Sequence, residues 1–207
     1  MSTFWRKYGA TIINMTVFFG IGHFLAQYFI EAWAEHRLDF VEVAFGIENA
    51  VWLVIIVARN AHRAIDRNLL HQAVALCAFF SGLAYLDQVT EEAALLAAAK
   101  IVILVACVLS TVTLLNLGRS FGILIALRTV KTGGLYAVVR HPMYATDILW
   151  KIGMLLKKPC AINAAIFAAS VACYVYRALL EERFLAAQPE YREYMARVKY
   201  RFIPGVF

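Results

Sequence analysis

The sequence predicts an all-α integral membrane protein with five to six transmembrane helices. The last two form a short C-terminal hairpin, and a cytoplasmic amphipathic helical tail follows. Of the 207 residues, 62% are hydrophobic and 16% are charged, whereas soluble domains are roughly half apolar and about a quarter charged. Long apolar runs recur along the chain, near the roughly 20 residues that a helix needs to cross a bilayer. The segments between these runs alternate between basic and acidic.

Six apolar runs mark the predicted helices, at about 8–32, 41–58, 69–86, 93–116, 143–157 and 160–180. The first four are long enough to span a membrane. The fifth is shorter and ends at a Lys-Lys-Pro sequence, so we interpret residues 143–180 as a tight helical hairpin. A short tilted span is the alternative. Asp147 and Lys151 lie four residues apart and are predicted to pair on one helix face.

The positive charges predict the orientation in the membrane. Among the 20 Lys and Arg residues, most lie at the N-terminus, in the 59–68 and 117–142 connectors or in the tail. On the opposite side we place only Arg37, Lys157 and Lys158. Because cytoplasmic loops are enriched in Lys and Arg, both termini are predicted to be cytoplasmic. The membrane would be the inner membrane of a bacterium or the endoplasmic reticulum of a eukaryote.

We expect residues 1–116 to form N-terminal transmembrane helices. Residues 117–207 would hold a loop, the hairpin 143–180 and the tail 181–207. The four cysteines lie in apolar stretches without the spacing of metal ligands, so no metal site is predicted. The net charge of +6 is explained by membrane topology, and no nucleic-acid partner is expected.

A polar segment, GGLYAVVRHPMY, interrupts the apolar sequence at residues 133–144. The glycine pair predicts a turn. Pro142 favours the first turn of a helix and restricts His141 before it to an extended conformation. His141 and Tyr144 would therefore flank a helix N-terminus, whose free N–H groups attract electron-rich ligands. A plain cytoplasmic loop is the alternative.

A second polar group lies in YRALLEERFL, residues 176–185, where the last span leaves the bilayer. Arg177 and Glu181 are four residues apart and share a helix face, whereas Glu182 points elsewhere. The pair can hold a zwitterionic ligand or act as an ordinary interfacial ion pair. Within the predicted spans, we expect Glu48 to face an acceptor tunnel and help a proton to leave. His23 and Gln27 are predicted to form an interhelical hydrogen-bonding pair.

Four features, taken together, resemble the isoprenylcysteine carboxyl methyltransferase family. They are the segment TGGLYAVVRHPMY, a hairpin broken by Lys-Pro, the segment LLEERFL and the segment PEYREYMARV. That family is grouped with phospholipid N-methyltransferases. The resemblance covers residues 117–207, which would be the methyltransferase core. It implies an S-adenosylmethionine-dependent enzyme that methylates an amphiphilic or lipid-linked carboxylate, thiol or amine.

The resemblance also implies roles for individual residues. His141 to Tyr144 would hold the amino-acid and ribose portions of the cofactor, and Glu181 would bind its ammonium group. Arg177 would face the methyl acceptor as a catalytic residue. Glu48 is the second catalytic candidate, but its role comes from its place in the second span and not from the resemblance. The cofactor-binding set is Arg128, Thr129, Val130, Lys131, Tyr136, His141, Pro142, Met143, Tyr144 and Glu181. The segment 128–131 is expected to be strand-like.

Two other functions are weighed against this one. A reductase of the sterol C14 type would bind NADPH, but such an enzyme needs about ten spans. A non-catalytic membrane subunit or transporter would keep the fold, would bind no cofactor and would tolerate the loss of Arg177 or Glu181.

Overall fold

The structure is a computed structural model. Its backbone is described for residues 3–36, 38–60 and 64–207. In the first helix, the side chains of residues 3–14 and 17 are outside the description. Arg6, Lys7, Arg37 and Arg63, which contributed to the predicted orientation, therefore lie outside the described side chains.

Seven α-helices form the described part of the chain. They are α1 (Thr3–Ala34), α2 (Phe40–Ala58), α3 (Leu69–Phe80), α4 (Ala93–Leu117), α5 (Pro142–Lys157), α6 (Ala161–Leu185) and α7 (Pro189–Arg197). Three 3-10 turns lie at Ser81–Ala84, Gly118–Ser120 and Gly134–Ala137. Two short strands, β1 (Ala64–Ile65) and β2 (Ala126–Leu127), pair antiparallel. The strand thus ends just before 128–131, which are irregular, so the expectation of a strand-like 128–131 is wrong.

The all-α membrane class is confirmed. In the described residues, three helical segments are long and apolar enough to cross a bilayer: Phe40–Ala58, Ala93–Ser120 and Ala161–Leu185. The segment Leu69–Ala84 is apolar but shorter. The predicted five to six spans would also require the 32-residue α1 and the shorter α3 and α5 to cross the bilayer, so that number stays a prediction.

Local sequence explains where the helices begin. The Asp39 carboxylate accepts hydrogen bonds from the backbone N–H groups of Val41 and Glu42, which caps α2. Asn68 caps α3 in the same way. A proline opens both α5 and α7, where the missing N–H costs nothing.

The last two membrane helices form the predicted hairpin. α5 has 16 residues and is joined to α6 by residues 158–160. The amide of Asn163 closes the connection by donating to the carbonyls of Leu86 and Lys158. α5 nevertheless packs mainly against α4. Gly153 permits this, because a Cβ there would lie 2.5 Å from Cγ1 of Ile103.

Two polar residues of α1 differ from the prediction. His23 and Gln27 are exposed, and no hydrogen bond between them is found in the part of α1 whose side chains are described. They point away from the interior, so the predicted interhelical pair is wrong for this chain alone. Lys100 of α4 instead pairs with Asp39 at the start of α2, at 2.6 Å.

Candidate functional site

A cavity of about 610 Å³ runs from the 128–144 loop into the helical bundle. Its loop end is formed by residues 128–144 and the C-terminal part of α6. Its bundle end is formed by aromatic and polar side chains of α1, α2, α3 and α5. A volume of this size is typical of small-molecule sites, which hold roughly 300–1,000 Å³.

Nearly all the residues singled out from the sequence line this one cavity. They are Glu48, Arg128, Thr129, Val130, Lys131, Tyr136, His141, Met143, Tyr144, Arg177 and Glu181. Pro142 is outside the lining and is the buried first residue of α5. Residues up to 133 positions apart in sequence, from Glu48 to Glu181, thus surround the same space. The roles of these residues toward cofactor and acceptor remain predictions.

Glu181 is the anionic group of the loop end. Its Oε1 accepts a hydrogen bond of 2.6 Å from the Tyr144 hydroxyl and one of 3.1 Å from Nε of Arg177. Its Oε2 lies 4.0 Å from Nδ1 of His141. One carboxylate oxygen is therefore held by the protein, and the other is the one available to a ligand.

Arg177 is 3% exposed and its donors face protein atoms. Nη1 donates to the Ala75 carbonyl at 3.0 Å, and Nη2 donates to the Ile123 carbonyl at 2.7 Å. The guanidinium also lies over the Tyr144 ring, 5.0 Å from its centroid. Arg177 therefore connects α6 to α3 and to the loop before β2, in addition to pairing with Glu181.

Glu182 supports the site from outside the cavity. Its Oε1 accepts from Nε of Arg140 at 2.7 Å and lies 3.1 Å from Nε2 of His141. Its Oε2 accepts from Nε of Arg201 at 3.0 Å. Glu182 points elsewhere than Glu181, as predicted, but the sequence reading missed that it holds His141 in place. The rings of His141 and Tyr144 are stacked with centroids 5.2 Å apart, so Glu182 also supports the position of Tyr144 in the cavity wall.

The tail fixes the loop through its backbone. The N–H groups of Arg140 and His141 donate to the carbonyls of Tyr200 and Arg201, at 2.9 and 2.8 Å. The Tyr194 hydroxyl donates to the Tyr136 carbonyl at 2.8 Å. Burial raises the pKa of Tyr194, so its hydroxyl stays protonated and remains a donor. Tyr194 therefore packs the tail onto the loop.

Cations flank the loop end on the side of the 59–68 connector. Nε of Arg128 donates to the Asn60 carbonyl at 3.3 Å. Burial lowers the pKa of Arg128, and the nearby Arg59 guanidinium lowers it further. Gly122 makes room for this side chain, since a Cβ there would lie 2.0 Å from Nη1 of Arg128. Such a desolvated cation favours an anionic ligand.

The bundle end carries polar groups inside an aromatic wall. Asp147 of α5 accepts hydrogen bonds from Lys151 and from the Tyr174 hydroxyl, which confirms the predicted pair with Lys151. Lys151 is 1% exposed, and its Nζ lies 5.1 Å from the Tyr174 ring centroid. Glu48 lies beside Ser110 and Cys107 of α4. Helical spacing could have indicated Tyr174, which is one turn before Arg177.

Comparison with known proteins identifies one family. Residues 96–187 match the family model described as the isoprenylcysteine carboxyl methyltransferase (ICMT) family. The match covers α4, the loop, α5 and α6, and it confirms the resemblance predicted from the sequence. No curated protein matches the chain. This segment is therefore similar to a membrane methyltransferase family.

Proposed function

We propose that this protein is an S-adenosylmethionine-dependent membrane methyltransferase that acts on an amphiphilic or lipid-linked acceptor. The observation that carries this proposal is one continuous cavity with two unlike ends. The loop end offers a carboxylate, hydroxyls and cations beside the loop, and the bundle end is mostly aromatic. A polar nucleoside and an apolar acceptor can thus meet without leaving the protein.

The groups of the loop end fit the cofactor. S-adenosylmethionine combines an ammonium, a carboxylate, a sulfonium and an adenine. The second oxygen of Glu181 suits the ammonium, and the desolvated cation of Arg128 suits the carboxylate. The rings of Tyr136, His141 and Tyr144 supply flat surfaces for the base and contacts for the positive sulfonium.

The cofactor, when bound, supplies a methyl group activated by the sulfonium. The protein's part is alignment and exclusion of water, since in-line displacement gains mostly from positioning and fixed electrostatics. Glu182 and the tail hold His141, and Tyr144 holds Glu181. The buried Arg177 keeps α6 in register with the loop before β2.

The proposed orientation follows from the charges. The loop end and the α7 tail lie on the same side of the bundle, and both carry the basic residues counted in the sequence. We place this side in the cytoplasm, where S-adenosylmethionine is available, with both termini there.

Binding measurements test the proposal. The protein purified in dodecyl maltoside is titrated calorimetrically with S-adenosylmethionine and, separately, with NADPH. We expect binding of the former only, and at least tenfold weaker binding by Glu181→Ala and His141→Ala. Glu190→Ala, an exposed carboxylate on α7, is the matched control. Binding of NADPH alone would indicate a reductase, and binding of neither nucleotide would indicate a scaffold or transporter.

A further inference from the structure

We propose that the methyl acceptor is a primary or secondary amine on a membrane amphiphile, and that Glu48 receives the proton that this amine must lose. This inference rests on the proposed function and specifies its substrate class. It is argued from the charges and the aromatic wall of the bundle end.

The charges at the bundle end do not balance. Two carboxyl groups, Glu48 and Asp147, line it together with one ammonium, Lys151. Lys151 is paired with Asp147, which also accepts from Tyr174. For Glu48, no Lys or Arg of the described residues lies within ion-pair distance, and its neighbours on α4 are the neutral Ser110 and Cys107. When Glu48 is ionised, it is a buried carboxylate without a cationic partner among the described residues.

The cations around the cavity are poorly placed to bind an acceptor carboxylate. Arg177 donates to Glu181 and to backbone carbonyls. Arg140 donates to Glu182 and to the carbonyls of Val198 and Lys199. Arg128 and Lys131 belong to the loop end, which the cofactor requires. An anionic acceptor would therefore have to break existing bonds, whereas a cationic acceptor would complete the site.

The wall of the bundle end suits an alkylammonium. Aromatic residues that line it include Phe24, Phe45, Trp52, Phe79, Phe80 and Trp150. Aromatic faces attract cations and are the usual surroundings of methylated ammonium groups. The same faces accept the hydrocarbon part of an amphiphile.

The chemistry balances with these groups. The acceptor enters as an ammonium and gives one proton to the Glu48 carboxylate. The freed nitrogen lone pair forms an N–C bond with the donor's methyl group, while the C–S bond breaks and its electron pair stays on the donor's sulfur. The product is a methylated ammonium, so the positive charge moves from sulfur to nitrogen and stays within the aromatic wall.

Three acceptors of equal chain length separate the substrate classes. Dodecylamine, dodecanoate and dodecanethiol are incubated with the purified protein and methyl-labelled S-adenosylmethionine. We expect label in dodecylamine at no less than ten times the rate for the other two. Preferential labelling of dodecanoate or dodecanethiol would overturn the amine assignment and leave the methyltransferase proposal standing.

Variants at position 48 test the role of the carboxylate. Glu48→Gln should reduce transfer to dodecylamine at least tenfold with an unchanged Kd for S-adenosylmethionine, and Glu48→Asp should restore part of the rate. Glu42→Gln is the matched control, because Glu42 lies on the same helix, bonds Tyr28 and does not line the cavity. Equal rates for Glu48→Gln and the unmodified protein would contradict the inference.

A binding experiment tests the cationic site without the methyl donor. Dodecyltrimethylammonium, which cannot be methylated, is titrated into the protein while tryptophan fluorescence is recorded. We expect saturable binding that competes with dodecylamine and weakens at least fivefold in Glu48→Gln, and no such difference for dodecanoate. Failure of this test would reject the cationic site, even if the cofactor binds.

Discussion

The Tyr144 hydroxyl donates a hydrogen bond of 2.6 Å to Oε1 of Glu181, across the gap between α5 and α6. One tyrosine therefore connects the helix that begins at the RHP sequence to the carboxylate at the end of the last span. The Tyr144 ring also stacks on His141 and lies under Arg177. This contact and the bond from Arg177 together hold Oε1 of Glu181.

Removing that hydroxyl should weaken cofactor binding. In Tyr144→Phe, Glu181 loses a bond worth about 1 kcal/mol, so we expect the Kd for S-adenosylmethionine to rise by about three- to tenfold. Tyr174→Phe is the matched control, because Tyr174 donates to Asp147 at the bundle end. Calorimetry with both variants checks the prediction, and equal Kd values would show that Tyr144 does not orient Glu181.

Loss of the Glu182 charge should destabilise the protein. Glu182→Gln leaves Arg140 and Arg201 without an anionic partner in a site where Arg140 is 9% exposed. Bonds to charged groups are worth roughly 1.5–3 kcal/mol, so a clearly lower Tm is expected in detergent. Glu190→Gln, on the exposed face of α7, should unfold like the unmodified protein. A Glu182→Gln protein with an unchanged Tm would be evidence against the support role.

The bond from Tyr194 to the loop should be visible in hydrogen exchange. Tyr194→Phe removes the donor to the Tyr136 carbonyl and leaves that buried acceptor without its partner. The expected cost is about 1–3 kcal/mol. We expect the amides of residues 135–141 to exchange faster, with the amides of α4 unaffected. Unchanged exchange in the loop would argue that the backbone bonds to the tail suffice.

Of the two neighbouring glycines, Gly134 is required by its backbone conformation and its close neighbour, whereas Gly133 can be replaced. Gly134 has φ +60, and a Cβ there would lie 1.4 Å from Oδ1 of Asn116. At Gly133 a Cβ would meet nothing within 4 Å. Gly134→Ala should therefore cost about 1–3 kcal/mol, whereas Gly133→Ala should stay within about 0.5 kcal/mol. Thermal unfolding of both variants measures the loss of stability. Comparable losses in Gly134→Ala and Gly133→Ala would contradict the claim that only Gly134 must be a glycine.

The pairing of Asp39 with Lys100 should make stability fall at acid pH. Burial alone raises the pKa of Asp39, but hydrogen bonds from Lys100, Glu42 and Val41 outweigh it and lower the pKa below its usual 3.8. The stabilisation is therefore present above pH 3.8 and is lost as the pH falls through the lower, folded-state value. Asp39→Asn keeps a capping side chain but loses the ion pair. Its deficit in Tm should vanish at low pH, and a constant deficit would exclude the charge as the cause.

Short-range features of the site could be read from the sequence. The four-residue spacing of Arg177 and Glu181 places both on one helix face. The same spacing pairs Asp147 with Lys151. Pro142 fixes the start of α5, which turns His141 and Tyr144 toward the same side. These relationships depend on helix geometry alone.

Long-range features could not be predicted. Glu182 meets Arg140 across 42 residues, and Arg177 meets the Ala75 carbonyl across 102 residues. Such contacts depend on how α3, α6 and the loop pack together, and no local pattern encodes that. The sequence did not indicate that Arg177 also donates to the backbone carbonyls of Ala75 and Ile123, which a buried interior requires to be paired. Its role toward the acceptor stays a prediction.

The bonds between the loop and the tail determine when the site is completed during synthesis. Nη1 of Arg140 donates to the carbonyl of Val198, which lies 58 residues later in the chain. The membrane helices can insert one after another, but the pocket is complete only after residues 198–201 have been synthesised. A nascent chain stopped before α7 would be anchored in the bilayer with an unfinished pocket. Affinity tags for purification are accordingly better placed ahead of α1 than behind residues 198–201.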